Sequence, residues 1–208
     1  MAINYPLTIP NHTGVASYEL RAVNAVSRSM SPFTFSSTVY EYAGKRWELD
    51  VSLPPMKRAD AEIWVAWLIS LKGQRGTFYA GDFQAVTPLG SGRDADTVLI
   101  DGAVSSGTAI AIDSAPVNQN NYLKAGDYMQ TGTGTARQLF KVLENVSTDG
   151  TGSASVEVWP NIRTSIANNA AVTLQNTKGI FRLASNETTF SVGSLAQYGL
   201  SFGAMEAI

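Results

Sequence analysis

The stretch Arg46–Met56 reads RWELDVSLPPM, and it sets the fold class. Trp47, Leu49, Val51 and Leu53 alternate with Glu48, Asp50 and Ser52, the period of a strand that buries one face only. Pro54-Pro55 ends that strand and suits a helix start, because the first helical position leaves its N–H unpaired in any case. The spacing therefore predicts a helix over about residues 55–72, stopped by Gly73. Upstream, FTFSSTVYEY (33–42) has the same β character, and the AGKR between the two segments reads as the turn of a two-stranded unit. The first 30 residues are weakly periodic, broken by Pro6, Pro10 and Gly14, and read as a short strand with an exposed loop.

Within the helix, Met56, Ala59, Ile63, Trp67 and Leu71 fall at helical spacing and form the expected sheet-facing side. The run IWVAWLI (63–69) is apolar all round the cylinder, unlike a helix that covers a sheet on one side only. Trp64, Val65 and Leu68 thus call for a second partner, either another part of the chain or a neighbouring subunit, and they are candidate subunit-interface residues.

Beyond the helix come GTFYAGDF (76–83), a strand with a glycine bend, and VTPLGSGRDADT (86–97), a Gly/Pro/Asp-rich linker that marks a boundary. The rhythm then changes to short strands: TVLIDGA, GTAIAID, AGDYMQT, RQLFKVLENV and SASVEVWP, with turn residues between them. Five such strands predict a small barrel of the OB type. KGIFRLAS and the alternating YGLSFGAMEAI follow, and these last strands must pair with the opening layer. The expected fold is mainly β. A discontinuous β-sandwich domain with one helix is built from both chain ends (1–86 and 172–208), and a five-stranded OB-like barrel (87–171) is inserted into it.

Composition narrows the function. The 208 residues contain no cysteine, which excludes disulfides, thiolate metal sites and cysteine nucleophiles. The net charge is −2 with no basic run, so nucleic-acid binding is not expected. The N-terminal MAINYPLTIPNHTG lacks the basic and apolar regions of a signal peptide, and no apolar run approaches the ~20 residues that span a bilayer, so membrane insertion is not expected. Charged residues make up 15% of the chain against about 25% in ordinary domains, so the surface is either neutral and polar or covered by neighbours.

Catalytic patterns are equally sparse. The single histidine, His12, sits in a Pro/Gly-flanked segment without a carboxylate cluster and reads as a surface-loop residue. With one histidine and no cysteine, neither a zinc site nor a Ser-His-Asp triad has its usual ligands or members. Asp94, Asp96, Asp101, Asp113, Asp127, Asp149 and Glu157 are spread over the barrel turns, where aspartates bond their own backbone. A carboxylate hydrolase would need two of them brought together. YMQTGTGTARQLFKV (128–142) has Arg137 where a dinucleotide fingerprint needs its third glycine, no Lys-Ser or Lys-Thr, and a strand instead of a helix behind it. It predicts a hairpin connection. No catalytic, metal or cofactor residue is assigned. Tyr122 and Tyr128 are the candidate glycan contacts if the barrel is a carbohydrate-binding module for host cell-surface sugar.

The order of these elements, with SLPPM, LISLKGQRGTFYAGDF, YLKAGDYMQ, FKVLENVSTDGTGSASVEVWPNIR, KGIFRLAS and YGLSFGAMEAI, resembles the distal tail proteins of siphophages, in the compact form of phages with a straight fibre. The resemblance spans almost the whole chain. It implies a non-enzymatic virion component, made in the host cytoplasm and placed at the tail tip. Such a protein forms a homo-hexameric ring between the tail tube protein and the tip, baseplate hub or fibre proteins. It also implies that the sandwich closes the ring and the OB-fold projects outward. Members that help bind host saccharides often carry large carbohydrate-binding or arm insertions; none is present here, so no binding residue is carried over.

Overall fold

The computed structural model describes residues 3–10, 14–193 and 196–208. His12 lies outside the described residues. The elements run in the order β1 (Leu7–Thr8), β2 (Ser17–Met30), β3 (Ser37–Ser52), α1 (Arg58–Ser70), β4 (Phe78–Ala80), β5 (Leu99–Ile100), β6 (Ala109–Asp113), β7 (Tyr128–Thr131), β8 (Gln138–Val142), β9 (Ala154–Trp159), β10 (Val172–Thr173), β11 (Gly179–Leu183), β12 (Phe190–Val192) and β13 (Tyr198–Glu206). The fold is mainly β with one α-helix among the described residues, as the alternation predicts.

Two sheets divide the strands. One has seven strands in the order β1-β4-β11-β13-β3-β2, with β12 paired to β13; the other has six, β10-β7-β8-β9-β6-β5. The second sheet nearly closes on itself. Ile100 N–H donates to Ala170 O and Val172 N–H to Val98 O, each at 3.0 Å, so its two outermost strands meet. Val172–Thr173 supplies the sixth strand, from the AVTLQN stretch that the sequence reading places in the other domain.

The seven-stranded sheet buries the side predicted for RWELDVSL: Trp47, Leu49, Val51 and Leu53 all lie in its core. The helix covers that core with Ala61, Trp64, Val65, Trp67 and Leu68, while Ala59 and Ile63 are exposed. The predicted face is therefore corrected in part: Met56, Trp67 and Leu71 are buried in the core as expected, whereas Ala59 and Ile63 turn outward. The five buried positions span a wide arc on one side of the cylinder, and this single side accounts for the apolar run. Trp67 stands edge-on to Phe78 at 5.1 Å and tilted against Phe202 at 5.7 Å. The barrel has its own core, which includes Ile100, Ile110, Tyr122, Phe140, Val156 and Val158.

The largest departure from expectation is at the start of the chain. AGKR is not a turn; it lies inside the 16-residue β3, which runs without a break from Ser37 to Ser52. Its partner is β2, in the segment that reads as weakly periodic. Register is regular from Ser17↔Ser52 to Asn24↔Lys45, shifts, and resumes from Val26↔Glu41 to Met30↔Ser37. The irregularity absorbs the extra residues of β3 around Ala43 and Gly44. Beyond it every residue of both strands is exposed, so no core imposes the two-residue period by which strands are recognised.

A seam around Trp47 joins the sheets. Trp47 sits at its centre: the indole N–H donates to Leu139 O at 3.1 Å, and the ring lies edge-on to Trp159 at 4.5 Å. Arg163, beyond β9, makes a buried ion pair with Glu206 of β13 and donates from a second guanidinium nitrogen to Lys45 O at 2.9 Å. Glu206 also accepts the Trp47 backbone N–H at 3.0 Å. These two side chains occupy the edge of β3 where its pairing with β13 stops, at Glu48.

Candidate assembly surface

The distal half of the β2–β3 hairpin has no covering layer among the described residues. A two-stranded ribbon alone is marginal in water and needs further strands or an apolar partner. Here Val26, Met30, Val39, Tyr40 and Tyr42 are all exposed on it. Among the described residues β2 pairs with β3 alone, and no strand other than β2 pairs with β3 between Ser37 and Trp47. The ribbon thus offers two free edges, one on each strand. Edges are usually protected by lysine, proline or short length. From Ser29 to Tyr40 there is no charged residue, and the single proline is at the turn.

The tip is ordered by its own hydrogen bonds. Ser31 N–H donates to Ser36 O at 2.9 Å and Phe35 N–H to Ser31 O at 3.0 Å, while the Thr34 and Ser36 hydroxyls are 2.8 Å apart. Pro32, just after Ser31, favours the turn backbone by fixing its own φ. Phe35 is held at φ +56, a left-handed conformation that costs a side-chain-bearing residue about 1–2 kcal/mol. The result is two apolar rings turned to solvent, Phe33 at 91% exposure and Phe35 at 74%.

The sequence-predicted sites lie elsewhere. Trp64, Val65 and Leu68 are covered by the chain itself, at 1%, 6% and 1% exposure, so the partner they call for is intramolecular; the helix leaves Ile63 and Ile69 on its outer side instead. Tyr122 is fully buried with its hydroxyl donating to Asp96 at 2.8 Å. Burial, then the adjacent Asp96, raise its pKa above the usual phenol range. Tyr128 is buried beneath the Lys141 ammonium, 4.0 Å from the ring centre. Neither ring is open to a sugar. The hairpin edges and the two phenylalanines were not among the sequence-predicted sites; the available signal was the neutral, aromatic SPFTFSSTVY between two β-like segments.

Three of the carboxylates hold backbone N–H groups, Asp149 within its own turn and Asp94 and Asp127 largely across distant segments of the chain. Asp127 accepts the Leu89, Gly90 and Lys124 N–H groups at 2.6, 3.1 and 2.7 Å, and Asp94 accepts those of Leu174 and Gln175 at 2.6 and 3.0 Å. Asp149 accepts the Thr151 hydroxyl and the Thr151 and Ser153 N–H groups, and these bonds hold its pKa below the ordinary value. Among the described residues no three His, Asp or Glu side chains come together as a metal-binding group. YMQTGTGTARQLFKV forms the connection between the antiparallel β7 and β8, with Gly132 at φ +73.

No protein-family model matches this chain, and none of the curated proteins matches it either.

Proposed function

We propose that the chain is a structural protein of a bacteriophage tail tip, a distal tail protein that assembles into a hexameric ring joining the tail tube to the tip, baseplate hub or fibres. The barrel is its OB-like outer domain. The observation that carries this reading is the uncovered ribbon, with one free edge on β2 and another on β3. Two different edges on one chain are what head-to-tail contacts need, and such contacts close into a ring when the rotation allows. The likeness of element order and motifs to siphophage distal tail proteins supplies the setting, and the low charge content fits a surface largely covered by neighbours.

Light scattering of the purified protein together with negative-stain electron microscopy tests it. Rings of one copy number support the proposal. A strict monomer at every concentration, in a chain also absent from virions, would sink it. The carbohydrate-binding alternative has no observation in its favour, because both candidate tyrosines are buried.

A further inference from the structure

We propose that, at the hairpin tips of adjacent copies, Phe35 of one copy stacks on Phe33 of the next, forming a closed aromatic collar at one end of the ring. The inference rests on the ring reading and on the two free edges of the ribbon being paired between copies. Three features lead to it.

The first is exposure in a fixed geometry. Phe33 and Phe35 are the two most exposed large apolar residues among those described outside the termini, yet the backbone that presents them is bonded across the tip and holds Phe35 in left-handed backbone. A strained and ordered presentation of apolar rings favours contact, since little freedom remains to be lost on binding.

The second is neutrality. A contact between identical segments sets every charge against its own copy, so such a contact favours segments without charge. Ser29–Tyr40 has none, and Arg28 and Glu41 stand just outside it. Glu41 is in turn neutralised by Lys45 at 2.6 Å. The absence of basic residues also gives no attraction to an anionic lipid surface or to nucleic acid.

The third is spacing. Paired strands lie about 4.8 Å apart, so two-stranded ribbons set side by side repeat every ~10 Å. Phe33 follows the end of β2 and Phe35 precedes the start of β3, on opposite arms of the tip. When β3 of one copy meets β2 of the next, Phe35 comes roughly one strand spacing from the neighbour's Phe33, within the 4.5–7 Å at which aromatic rings interact. Equivalent residues remain about 10 Å apart.

The chain has no cysteine, which permits a direct test. Disulfides require Cα atoms about 4.4–6.8 Å apart, a distance available between positions 33 and 35 of neighbours and not between equivalent positions. Phe33→Cys and Phe35→Cys proteins are prepared separately, mixed in equal amounts, and oxidised. A covalent dimer in the mixture, absent from either protein alone, is the expected result. Multimers in light scattering without that dimer overturn the collar and leave the ring standing. Equal dimer in one variant alone also overturns it, because the tips then meet in another register. Monomers without cross-links overturn the collar, and they overturn the ring reading as well if the unsubstituted chain is monomeric at every concentration and absent from virions.

Discussion

The indole N–H of Trp47 donates to the backbone carbonyl of Leu139 at 3.1 Å, which bonds the buried face of one sheet directly to the barrel. Trp47 is buried, and Trp159 and Tyr128 of the barrel lie against it. Trp47→Ala is expected to cost about 3–5 kcal/mol, as truncations of large buried aromatics do. Trp47→Phe keeps most of the apolar contact but leaves Leu139 O without this donor, so about 1–3 kcal/mol is expected. Urea unfolding of the two variants checks both the order and the size of these losses.

Arg163 and Glu206 form the second tie across the same seam. Removing one partner leaves the other charge buried, at a cost of about 3–5 kcal/mol. Arg163→Met is therefore expected to destabilise more than the double change Arg163→Met with Glu206→Gln. Denaturant midpoints of the single and double variants measure the difference, and equal losses would place the cost in Arg163 packing alone.

Asp82 links the two sheets through tyrosines. It accepts the Tyr18 hydroxyl at 2.5 Å and the Gln84 and Ala85 N–H groups at 2.9 and 3.2 Å. Burial alone raises its pKa, but these bonds, with one from Tyr128, outweigh burial and leave it below the ordinary 3.8. The unfolded chain then binds the proton more readily, so this contribution is complete above the unfolded value and is lost as pH falls through the folded one. As pH falls below about 4, the native protein is expected to lose more of its melting temperature than Asp82→Asn does.

A charged edge tests the ring. Lysines at strand edges oppose pairing with another chain, and surface substitutions away from packed sites usually stay within about 0.5 kcal/mol. Ser27→Lys with Ser29→Lys, on the exposed part of β2, is expected to abolish multimers in light scattering and leave the thermal midpoint nearly unchanged.

The two glycines of the β7–β8 connection differ in their surroundings. A Cβ on Gly132 would meet Ala136 O at 2.2 Å, whereas one on Gly134 would meet nothing within 4 Å. Both have positive φ, so each change to alanine costs about 1–2 kcal/mol in backbone strain. Gly132→Ala is expected to cost more, by the clash, and paired unfolding curves read the difference.

The parts of the fold legible in the sequence are those where a core writes the pattern. WELDVSL, YMQT and SASVEVWP each face packed interiors, and their strands lie close to where alternation places them. The distal half of β2 was hidden because AVSRSM faces no core in the isolated chain, and the adjoining AGKR imitates a turn while lying inside a strand. The helix lies inside the expected range but starts at Arg58 rather than at Pro55; a run of seven apolar residues fits several faces equally well, and only the sheet beneath it selects Trp64 and Leu68 over Ile63. Burial also separates the tyrosines from the phenylalanines: the fold encloses Tyr122, which the sequence names as a candidate contact, and exposes Phe33, which it does not.

The unbroken course of β3 has a mechanical meaning. One backbone, about 50 Å long, leads from the projecting tip through Trp47 at the seam to Leu49 and Val51 beneath the helix. A pull on the tip along that backbone loads the ladder from Glu48 to Ser52 in shear, so several hydrogen bonds with β13 share it at once. The same pull reaches the barrel through Trp47 and through Arg163 at Lys45. Tension applied at one end of the molecule is thereby delivered to both of its cores, and through Trp47 it reaches Leu139 of β8 strand to strand.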